Sequence, residues 1–337
     1  MRSRKLGRTG FEISEIGFGC WAIGGNAYGR VNDGDSLCAL EAAWSSGVNF
    51  FDTADIYGEG HSETLLARFL KGKLRDTFFV ATKVGWDFYP SSPGRPDSAA
   101  GPIQNNHAEY RKNFDAAYVR FACEKSLMRL GQETIDLYQL HNPSLELIRS
   151  GEPVSVLEKL RREGKIRAIG ISVHREAEAL AALEDPRIES LQIILNIMDQ
   201  RMSGAVFDKA CEKNTGIIVR EALASGLLTG KYPPAHKFPR DDHRRRWSAE
   251  KRECDWEKVQ LILKTLGCRN DQLPQSALEF VLSFNEVSTV IPGAKTCEQV
   301  MANLQAVISP RLSREAMIRL KKLYTENPIF REGLLPR

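Results

Sequence analysis

The sequence predicts an α/β fold in which eight parallel β-strands, each followed by a helix, close into a (β/α)8 barrel of the TIM type. Short apolar runs alternate with longer amphipathic segments eight times along the 337 residues. The runs are continuously apolar rather than alternating, as expected of parallel strands covered on both faces. Eight such units fit a single barrel domain spanning residues 1–337. A doubly wound open sheet is the alternative fold.

The predicted elements follow one another at regular intervals. Strands are expected at residues 15–19, 49–53, 77–83, 136–140, 166–172, 191–196, 216–220 and 287–293. Helices are expected at residues 36–47, 62–72, 115–131, 154–165, 175–185, 205–214 and 297–308, and more than one helix is expected near residues 256–283. Gly131 is the predicted stop of the third helix, because glycine readily adopts the left-handed conformation of helix ends. Residues 5–19 are predicted to include a short β-hairpin ahead of the barrel.

Two long loops interrupt this pattern, after the third and the seventh predicted strand. Residues 84–114 are rich in proline, glycine and serine, and residues 231–250 form the second loop. Both follow the carboxyl ends of strands, where barrels build their active sites. Loops of this length in compact domains are usually either functional or disordered, and the aromatic residues Trp86, Phe88 and Tyr89 favour a binding loop. We therefore expect residues 84–114 to act as a lid over a bound substrate.

Composition and charge exclude several classes of protein. The net charge of +4 mixes acids and bases throughout, so nucleic acid is not an expected partner. No apolar run is long enough to cross a bilayer, and the basic N-terminus leads into no apolar secretory segment. A cytoplasmic location follows as the expectation. The seven cysteines show no CxxC spacing, so reduced structural thiols are expected, and no metal site is expected.

Polar residues stand where three of the apolar strands end. Asp52, Lys83 and His141 close the second, third and fourth predicted strands, and Tyr57 follows Asp52 on a short loop. Because the strands of a parallel barrel end at the same rim, the four side chains are expected to converge there.

This combination is chemically useful. A tyrosine titrates near 10, and a nearby ammonium favours its phenolate and so lowers the pKa. We therefore expect Asp52 to hold Lys83 charged, Tyr57 to act as a general acid toward a carbonyl oxygen, and His141 to orient that oxygen. The alternative is a structural ion pair with packing roles for Tyr57 and His141. All four residues at one rim favour catalysis.

Six motifs identify a family resemblance. They are "GVNFFDTADIYGEGHSE" (47–63), "VATKVG" (80–85), "IDLYQLHNP" (135–143), "GKIRAIGIS" (164–172), "ASGLLTGKY" (224–232) and "VIPGAKTCEQVMANL" (290–304). In this order they resemble the signature blocks of the aldo-keto reductases, over about residues 5–320. The likeness is greatest to bacterial members near the inositol-cluster and general-stress reductases and to potassium-channel β subunits.

The resemblance implies a barrel, a catalytic tetrad and a cofactor. The tetrad falls on Asp52, Tyr57, Lys83 and His141. The implied activity is NADPH-dependent reduction of an aldehyde or ketone, or the reverse oxidation of an alcohol, with hydride from the nicotinamide and a proton from Tyr57. A nucleotide-binding regulatory subunit with little turnover, like the channel β subunits, is the alternative function. Either a monomer or a homo-oligomer is compatible with the sequence.

The resemblance also implies where the cofactor and the substrate bind. Ser172 and Gln192 match positions that hold the nicotinamide carboxamide, whereas Val173 replaces the usual asparagine and Arg220 replaces an aromatic residue that stacks on the ring. The implied pyrophosphate loop comprises Leu223, Ser225, Gly226, Leu228 and Lys231. The implied adenosine-phosphate site comprises Gly293, Lys295, Thr296, Gln299 and Asn303. Further cofactor contacts are expected from Gly19, Cys20, Trp21 and Asp52, and substrate contacts from Trp21, Tyr57, Trp86, His141 and Asn142.

Four further features of the sequence bear on this site. "GFGCWA" (17–22) fits the GxGxxA dinucleotide pattern, but it leads into a glycine-rich loop rather than a helix, so a Rossmann turn is disfavoured. The run Arg244–Arg246 is interpreted as a solvated charge run, with a contact to cofactor phosphate as the alternative. A preference for NADPH over NADH is expected to be moderate. A polar set on the first loop favours a hydroxylated or anionic substrate such as a sugar: Asn106, His107, Arg111 and Lys112.

Overall fold

The structure is a computed structural model that describes residues 1–25, 27–29, 31–93 and 110–331. Its strands are β1 (Ser3–Lys5), β2 (Glu12–Ser14), β3 (Phe18–Gly19), β4 (Phe50–Asp52), β5 (Phe79–Val84), β6 (Trp86–Asp87), β7 (Arg111–Lys112), β8 (Ile135–His141), β9 (Ile166–Ser172), β10 (Ser190–Ile194), β11 (Gly216–Arg220) and β12 (Val287–Val290). Its helices are α1 (Asp33–Ser45), α2 (His61–Leu70), α3 (Ala116–Leu130), α4 (Leu145–Ser150), α5 (Glu152–Arg162), α6 (Glu176–Ala182), α7 (Ala205–Glu212), α8 (Ala249–Leu266), α9 (Leu273–Leu282), α10 (Cys297–Ile308) and α11 (Arg314–Glu326).

Eight of these strands form one parallel sheet that closes on itself. Their order is β3-β4-β5-β8-β9-β10-β11-β12, so strands that follow one another along the barrel also pair. The first and last strands are joined by parallel bridges from Ile16 to Val290 and from Gly19 to Gly293. The predicted (β/α)8 barrel is therefore confirmed, and the doubly wound alternative is wrong.

The predicted N-terminal hairpin is also present, and it closes one end of the barrel. β1 pairs antiparallel with β2. Leu6, Phe11 and Ile13 of the hairpin pack in one buried cluster with residues of the barrel strands, among them Phe50 and Leu137. Since a barrel buries its amino-terminal end for stability, the opposite rim is left for the functional site.

The helices depart from the prediction in several places: most boundaries shift by a few residues, and α4 (Leu145–Ser150) matches no predicted helix. α8 begins at Ala249, inside the predicted loop 231–250, because the Ser248 side chain accepts a hydrogen bond from the Lys251 amide and caps the helix. α11 is an additional helix, capped in the same way by Ser313. Gly131 ends α3 as predicted, with a left-handed φ of 61°.

The cysteines correct one expectation. Cys38 of α1 and Cys297 at the start of α10 form a disulfide, 259 residues apart in sequence. Spacing could not reveal this pair, because only the packing of α1 against α10 brings the two sulfur atoms together. The expectation of reduced thiols is therefore wrong for these two residues. Among the described helices, none combines the length and the apolar character that crossing a membrane would require.

Candidate active site

A layer of polar side chains lies inside the barrel. On β4, β5 and β8 it comes two residues after the apolar cluster that packs against the N-terminal hairpin. The Asp52 Oδ2 atom accepts hydrogen bonds from Gln139 Nε2 at 3.1 Å and from Gln192 Nε2 at 2.8 Å. Asp52 is on β4, Gln139 on β8 and Gln192 on β10, and none of these strands are neighbours in the sheet. Their side chains can meet only through the interior of the barrel. Gly170 leaves room for this layer, since a Cβ there would lie 2.9 Å from the Gln139 side chain.

Lys83 is the cation of this layer. Its Nζ donates to Asp52 Oδ1 at 2.5 Å, to the Thr53 carbonyl at 2.7 Å and to Tyr57 Oη at 3.4 Å. The lysine is fully buried, at 0% exposure. Burial acts against its charged form, but the Asp52 carboxylate and the Tyr57 phenol together hold the pKa of Lys83 above its ordinary value. Lys83 is therefore an ammonium at neutral pH.

A tight turn after β4 places Tyr57 above this ammonium. The Tyr57 amide donates to the Ala54 carbonyl at 3.1 Å. Gly58 then adopts a φ of +61°, and a Cβ at this position would lie 1.6 Å from the Gly24 carbonyl oxygen. Glycine is therefore required for the turn to approach the loop after β3 so closely.

The net direction of the Tyr57 pKa differs from the sequence-based expectation. Burial raises it, the Lys83 ammonium lowers it as expected, and burial outweighs the charge, so the pKa of Tyr57 lies above its ordinary value. At neutral pH the phenol is protonated. It is suited to donate a proton rather than to accept one.

His141 completes the predicted tetrad at the rim. Its ring centroid lies 5.9 Å from that of Tyr57 in an edge-to-face arrangement. Burial, with the nearby Lys83 ammonium, holds the pKa of His141 well below its ordinary range. The structure thus brings Asp52, Tyr57, Lys83 and His141 together, with the imidazole neutral.

We expect His141 to show no imidazole titration between about pH 5.5 and 8, because its lowered pKa keeps the ring uncharged over the range in which an ordinary histidine titrates. NMR of ring-labelled histidine measures this directly, and the spectrum of His141→Gln assigns the resonance. A titration midpoint for His141 inside this range would contradict the expectation.

A cleft of about 520 Å³ opens at this rim, within the range of small-molecule sites. All the predicted substrate-contacting residues line it: Trp21, Tyr57, Trp86, His141 and Asn142. Most of the predicted cofactor-contacting residues line it as well: Gly19, Trp21, Asp52, Gln192, Arg220, Leu223, Ser225, Gly226, Lys231, Gly293, Lys295, Gln299 and Asn303.

Four predicted cofactor residues lie outside this lining. The Cys20 and Leu228 side chains are fully buried. Thr296 caps α10 by accepting a hydrogen bond from the Gln299 amide. Ser172, buried at the end of β9, donates from its hydroxyl to Asn142 Oδ1 at 3.3 Å. The predicted substrate lid comprises residues 84–114. Residues 94–109 of this segment, which include Asn106 and His107, lie outside the described residues.

The barrel floor fits the carboxamide of a nicotinamide. Gln192 Nε2 donates hydrogen bonds to Asp52 and to Gln139, and these two bonds fix the orientation of the Gln192 amide. Its Oε1 is buried and has no hydrogen-bond partner among the described residues. A buried acceptor of this kind is costly unless a ligand donor satisfies it, and a carboxamide NH2 supplies such a donor.

The loop after β11 fits a pyrophosphate. Ala224, Ser225 and Gly226 take left-handed φ angles of 49°, 55° and 89°. Successive backbone amides in such a turn form an anion-binding concavity. Arg244 Nη1 donates to the Ser225 carbonyl at 3.1 Å, and a Cβ on Gly226 would lie 2.9 Å from Nη1. The anion-binding turn at residues 224–226 therefore has a cation, Arg244, beside it.

Arg244 corrects the interpretation of the arginine run. Arg245 and Arg246 are exposed, but Arg244 is only 6% exposed and lines the cleft. Asp242 holds its guanidinium in a bidentate pair at 2.9 and 2.6 Å. The description as a solvated charge run is thus wrong for Arg244. Nothing in the sequence distinguishes the one buried arginine of this run from the two exposed ones.

A roof spans the phosphate end of the cleft. The segment after β3 meets the loop after β11 through a bridge between Tyr28 and Asp242, and the His243 amide donates to the Ala27 carbonyl at 3.0 Å. Lys295 Nζ joins them by donating to the Tyr28 carbonyl at 2.8 Å. An ammonium has three donors, so Lys295 keeps donors for a phosphate.

The barrel holds a buried lysine–carboxylate pair beneath a tyrosine. It opens into a cleft whose lining fits a nicotinamide and a pyrophosphate. This arrangement is expected of an oxidoreductase that uses a nicotinamide dinucleotide. Comparison with known proteins agrees with this class. The sequence profile of the aldo/keto reductase family matches residues 15–325, and the chain belongs to that family. It is therefore an oxidoreductase of small-molecule carbonyl compounds that uses a nicotinamide cofactor.

Individual relatives are similar over nearly their whole length. A D-threo-aldose 1-dehydrogenase from a Pseudomonas species is 31% identical over 309 residues, which cover 88% of this chain and 90% of the relative. The holo form of an aldo-keto reductase from Bacillus halodurans superimposes with a TM-score of 0.76, at 28% identity and 96% coverage of each chain. The glycerol dehydrogenase of Gluconobacter oxydans has a TM-score of 0.74, at 26% identity, covering 99% of this chain and 97% of its own.

Proposed function

We propose that the protein is an NADPH-dependent reductase of hydroxylated aldehydes or ketones, with Tyr57 as the proton donor. The observation that carries this proposal is the buried pair of Lys83 and Asp52 directly beneath the protonated Tyr57 phenol, at the floor of the cleft. The reverse oxidation of an alcohol uses the same groups in the opposite sense. No feature of the described residues favours the regulatory-subunit alternative.

Each member of the tetrad has a distinct role in this reaction. When bound, the nicotinamide supplies a hydride to the carbonyl carbon. Tyr57 holds the proton at Oη and transfers it to the carbonyl oxygen as negative charge develops there. The Lys83 ammonium, 3.4 Å from Oη, stabilises the phenolate that remains. Asp52 keeps Lys83 in place, and the neutral His141 hydrogen-bonds and orients the carbonyl oxygen.

The cofactor is proposed to lie across the roofed cleft. Gln192 Oε1 accepts a hydrogen bond from its carboxamide. The left-handed turn at Ser225 and Gly226, with Arg244 and Lys231, binds the pyrophosphate; the segment from Gly293 to Asn303 binds the adenosine phosphate. Because the Cys20 and Leu228 side chains are buried and the Thr296 side chain caps α10, these three residues are proposed to contact the cofactor through their backbone atoms.

The proposed substrate class rests on the mouth of the cleft and on the relatives. Trp21, Trp86 and His141 form an aromatic rim with hydrogen-bonding edges, and Asn142 adds an amide. Flat rings with polar partners suit a compact polyhydroxy molecule. The names of an aldose dehydrogenase and a glycerol dehydrogenase among the relatives agree with a hydroxylated substrate.

Turnover of a panel of carbonyl compounds with NADPH tests this function. The panel contains hydroxyaldehydes, aldoses, hydroxyketones and simple alkyl aldehydes of matched size, and NADPH consumption is followed by absorbance. We expect turnover of the panel, with a higher kcat/KM for the hydroxylated members. Binding of NADPH without turnover of any member would overturn the enzymatic proposal, and equal kcat/KM for alkyl aldehydes would overturn the substrate class.

We expect a moderate preference for NADPH over NADH, on the order of ten- to a hundredfold in Kd. The extra phosphate would meet the Lys295 ammonium at the start of α10, where the helix dipole also favours an anion. One or two charge-assisted bonds contribute ~1.5–3 kcal/mol each before screening. Gln299 stands where the family often has an arginine, which keeps the preference moderate.

Kd values for both cofactors on wild type and on Lys295→Ala measure this preference, and Lys231→Ala is the matched control. Lys231 is proposed to contact the pyrophosphate that both cofactors share, so its removal should weaken both to the same degree. Equal affinity of the wild type for NADH and NADPH, or a full preference in Lys295→Ala, would show that the phosphate site is elsewhere.

A further inference from the structure

Arg220 introduces a charge where the ring of the nicotinamide is proposed to bind. It ends β11, its side chain is 15% exposed, and it lines the cleft together with Tyr57 and His141. One edge of the guanidinium is tied down: Nη2 donates to the Val173 carbonyl at 3.1 Å and lies 3.0 Å from His174 Nδ1. Nη1 contacts Glu221 Oε1 at 3.2 Å. The guanidinium is thus fixed in position rather than free in solvent.

Two anchors define where a nicotinamide ring would lie. Its carboxamide needs the buried Gln192 Oε1, and its reactive carbon must reach a carbonyl held by Tyr57. Gln192 pairs with Ile218 of β11, two residues before Arg220. With strands about 4.8 Å apart and a rise of about 3.3 Å per residue, the Gln192 and Arg220 side chains begin roughly 8 Å apart. A ring anchored at Gln192 and directed toward Tyr57 therefore passes beside the guanidinium.

The charge of Arg220 acts on the groups that surround this position. It is among the causes that lower the pKa of Tyr57 and of His141. The oxidised nicotinamide ring carries a positive charge, and the reduced ring is neutral. A fixed cation beside the ring therefore repels the oxidised form and leaves the reduced form unaffected, while a flat guanidinium can still pack against either ring.

We propose that Arg220 makes the cleft discriminate between the two redox states of the cofactor, so that NADPH binds more tightly than NADP+. This inference rests on the proposed function. Glu221 offsets part of the field, and we expect a preference of about tenfold. A tenfold ratio corresponds to about 30 mV in the midpoint potential of the bound two-electron couple. Repulsion of the oxidised ring also promotes release of NADP+ after carbonyl reduction.

The test compares Kd values for NADP+ and NADPH, measured by calorimetry at about pH 8, where an imidazole is ordinarily neutral. Arg220→Gln removes the charge and keeps hydrogen-bonding capacity, and Arg220→Lys keeps the charge. Glu221→Gln, the matched control, removes the counter-charge. We expect the ratio Kd(NADP+)/Kd(NADPH) to fall about tenfold in Arg220→Gln, to be largely kept in Arg220→Lys, and to rise in Glu221→Gln.

A purely structural Arg220 would give a different pattern. If it only ties β11 to the Val173 carbonyl, Arg220→Gln weakens both cofactor forms together and leaves the ratio unchanged, which overturns the proposal. Should Arg220→Gln fail to fold, an unchanged ratio in Glu221→Gln overturns it equally. Wild type that binds both forms with equal Kd refutes the redox discrimination alone, whereas wild type that binds neither form refutes the proposed function itself.

Discussion

Replacement of Tyr57 by phenylalanine is expected to lower turnover by about two to four orders of magnitude, the usual contribution of a positioned general acid. The loss should fall on the chemical step. Phenylalanine keeps the ring that contacts His141 edge to face at 5.9 Å and packs near Trp21 at 6.4 Å, so the cleft keeps its shape. The affinity for NADPH should therefore change little.

Single-turnover kinetics at saturating NADPH, with the cofactor titrated separately, measure both quantities. Tyr28→Phe is the matched control, because it removes another phenol from the lining of the cleft. The Tyr28 ring packs against Trp21 at 5.0 Å, and we expect the variant to lose less than about tenfold in rate, because Tyr28 takes no part in the proposed proton transfer. A Tyr57→Phe enzyme that kept more than about a tenth of the wild-type rate would show that Tyr57 is not the acid.

Replacement of Lys83 by methionine is expected to lower the free energy of unfolding by about 3–5 kcal/mol, because it leaves the buried Asp52 carboxylate without a counter-charge. Asp52 is 2% exposed. Among the residues that the structure describes, the hydrogen bonds left to it in the variant are those from the Gln139 and Gln192 amides. Turnover should fall as well, since the Tyr57 phenolate would lose the ammonium that stabilises it.

Urea denaturation followed by circular dichroism measures the stability, and the double variant Lys83→Met/Asp52→Asn is the control. It removes both charges, so we expect it to regain most of the stability lost by Lys83→Met and none of the activity. Equal stability of the single and double variants would contradict a dominant role for the unpaired carboxylate. A Lys83→Met protein as stable as the wild type would show that the ion pair contributes nothing net to folding.

Some of the candidate site follows from the sequence because parallel strands of a barrel end at one rim. Asp52, Lys83 and His141 each close an apolar strand, so barrel topology alone brings them together once eight strand–helix units are recognised. Gln139 was missed, although a period-two reading of "LYQLH" places it on the inward face with His141. The resemblance to a family placed Gln192 and Lys295, but it gave no reason for their orientation.

The sequence by itself therefore determined the fold class, the strand order and the rim at which the polar residues meet, since these depend on local periodicity and on the rules of parallel connection. Tertiary structure alone decided that Gln139 and Gln192 share the Asp52 carboxylate, that Arg244 is buried, and that Cys38 meets Cys297. It also decided the direction of the Tyr57 pKa, because burial and charge act in opposite senses there. Each of these depends on distances between segments remote in sequence and on depth below the surface, and neither quantity is encoded in any local stretch of the chain.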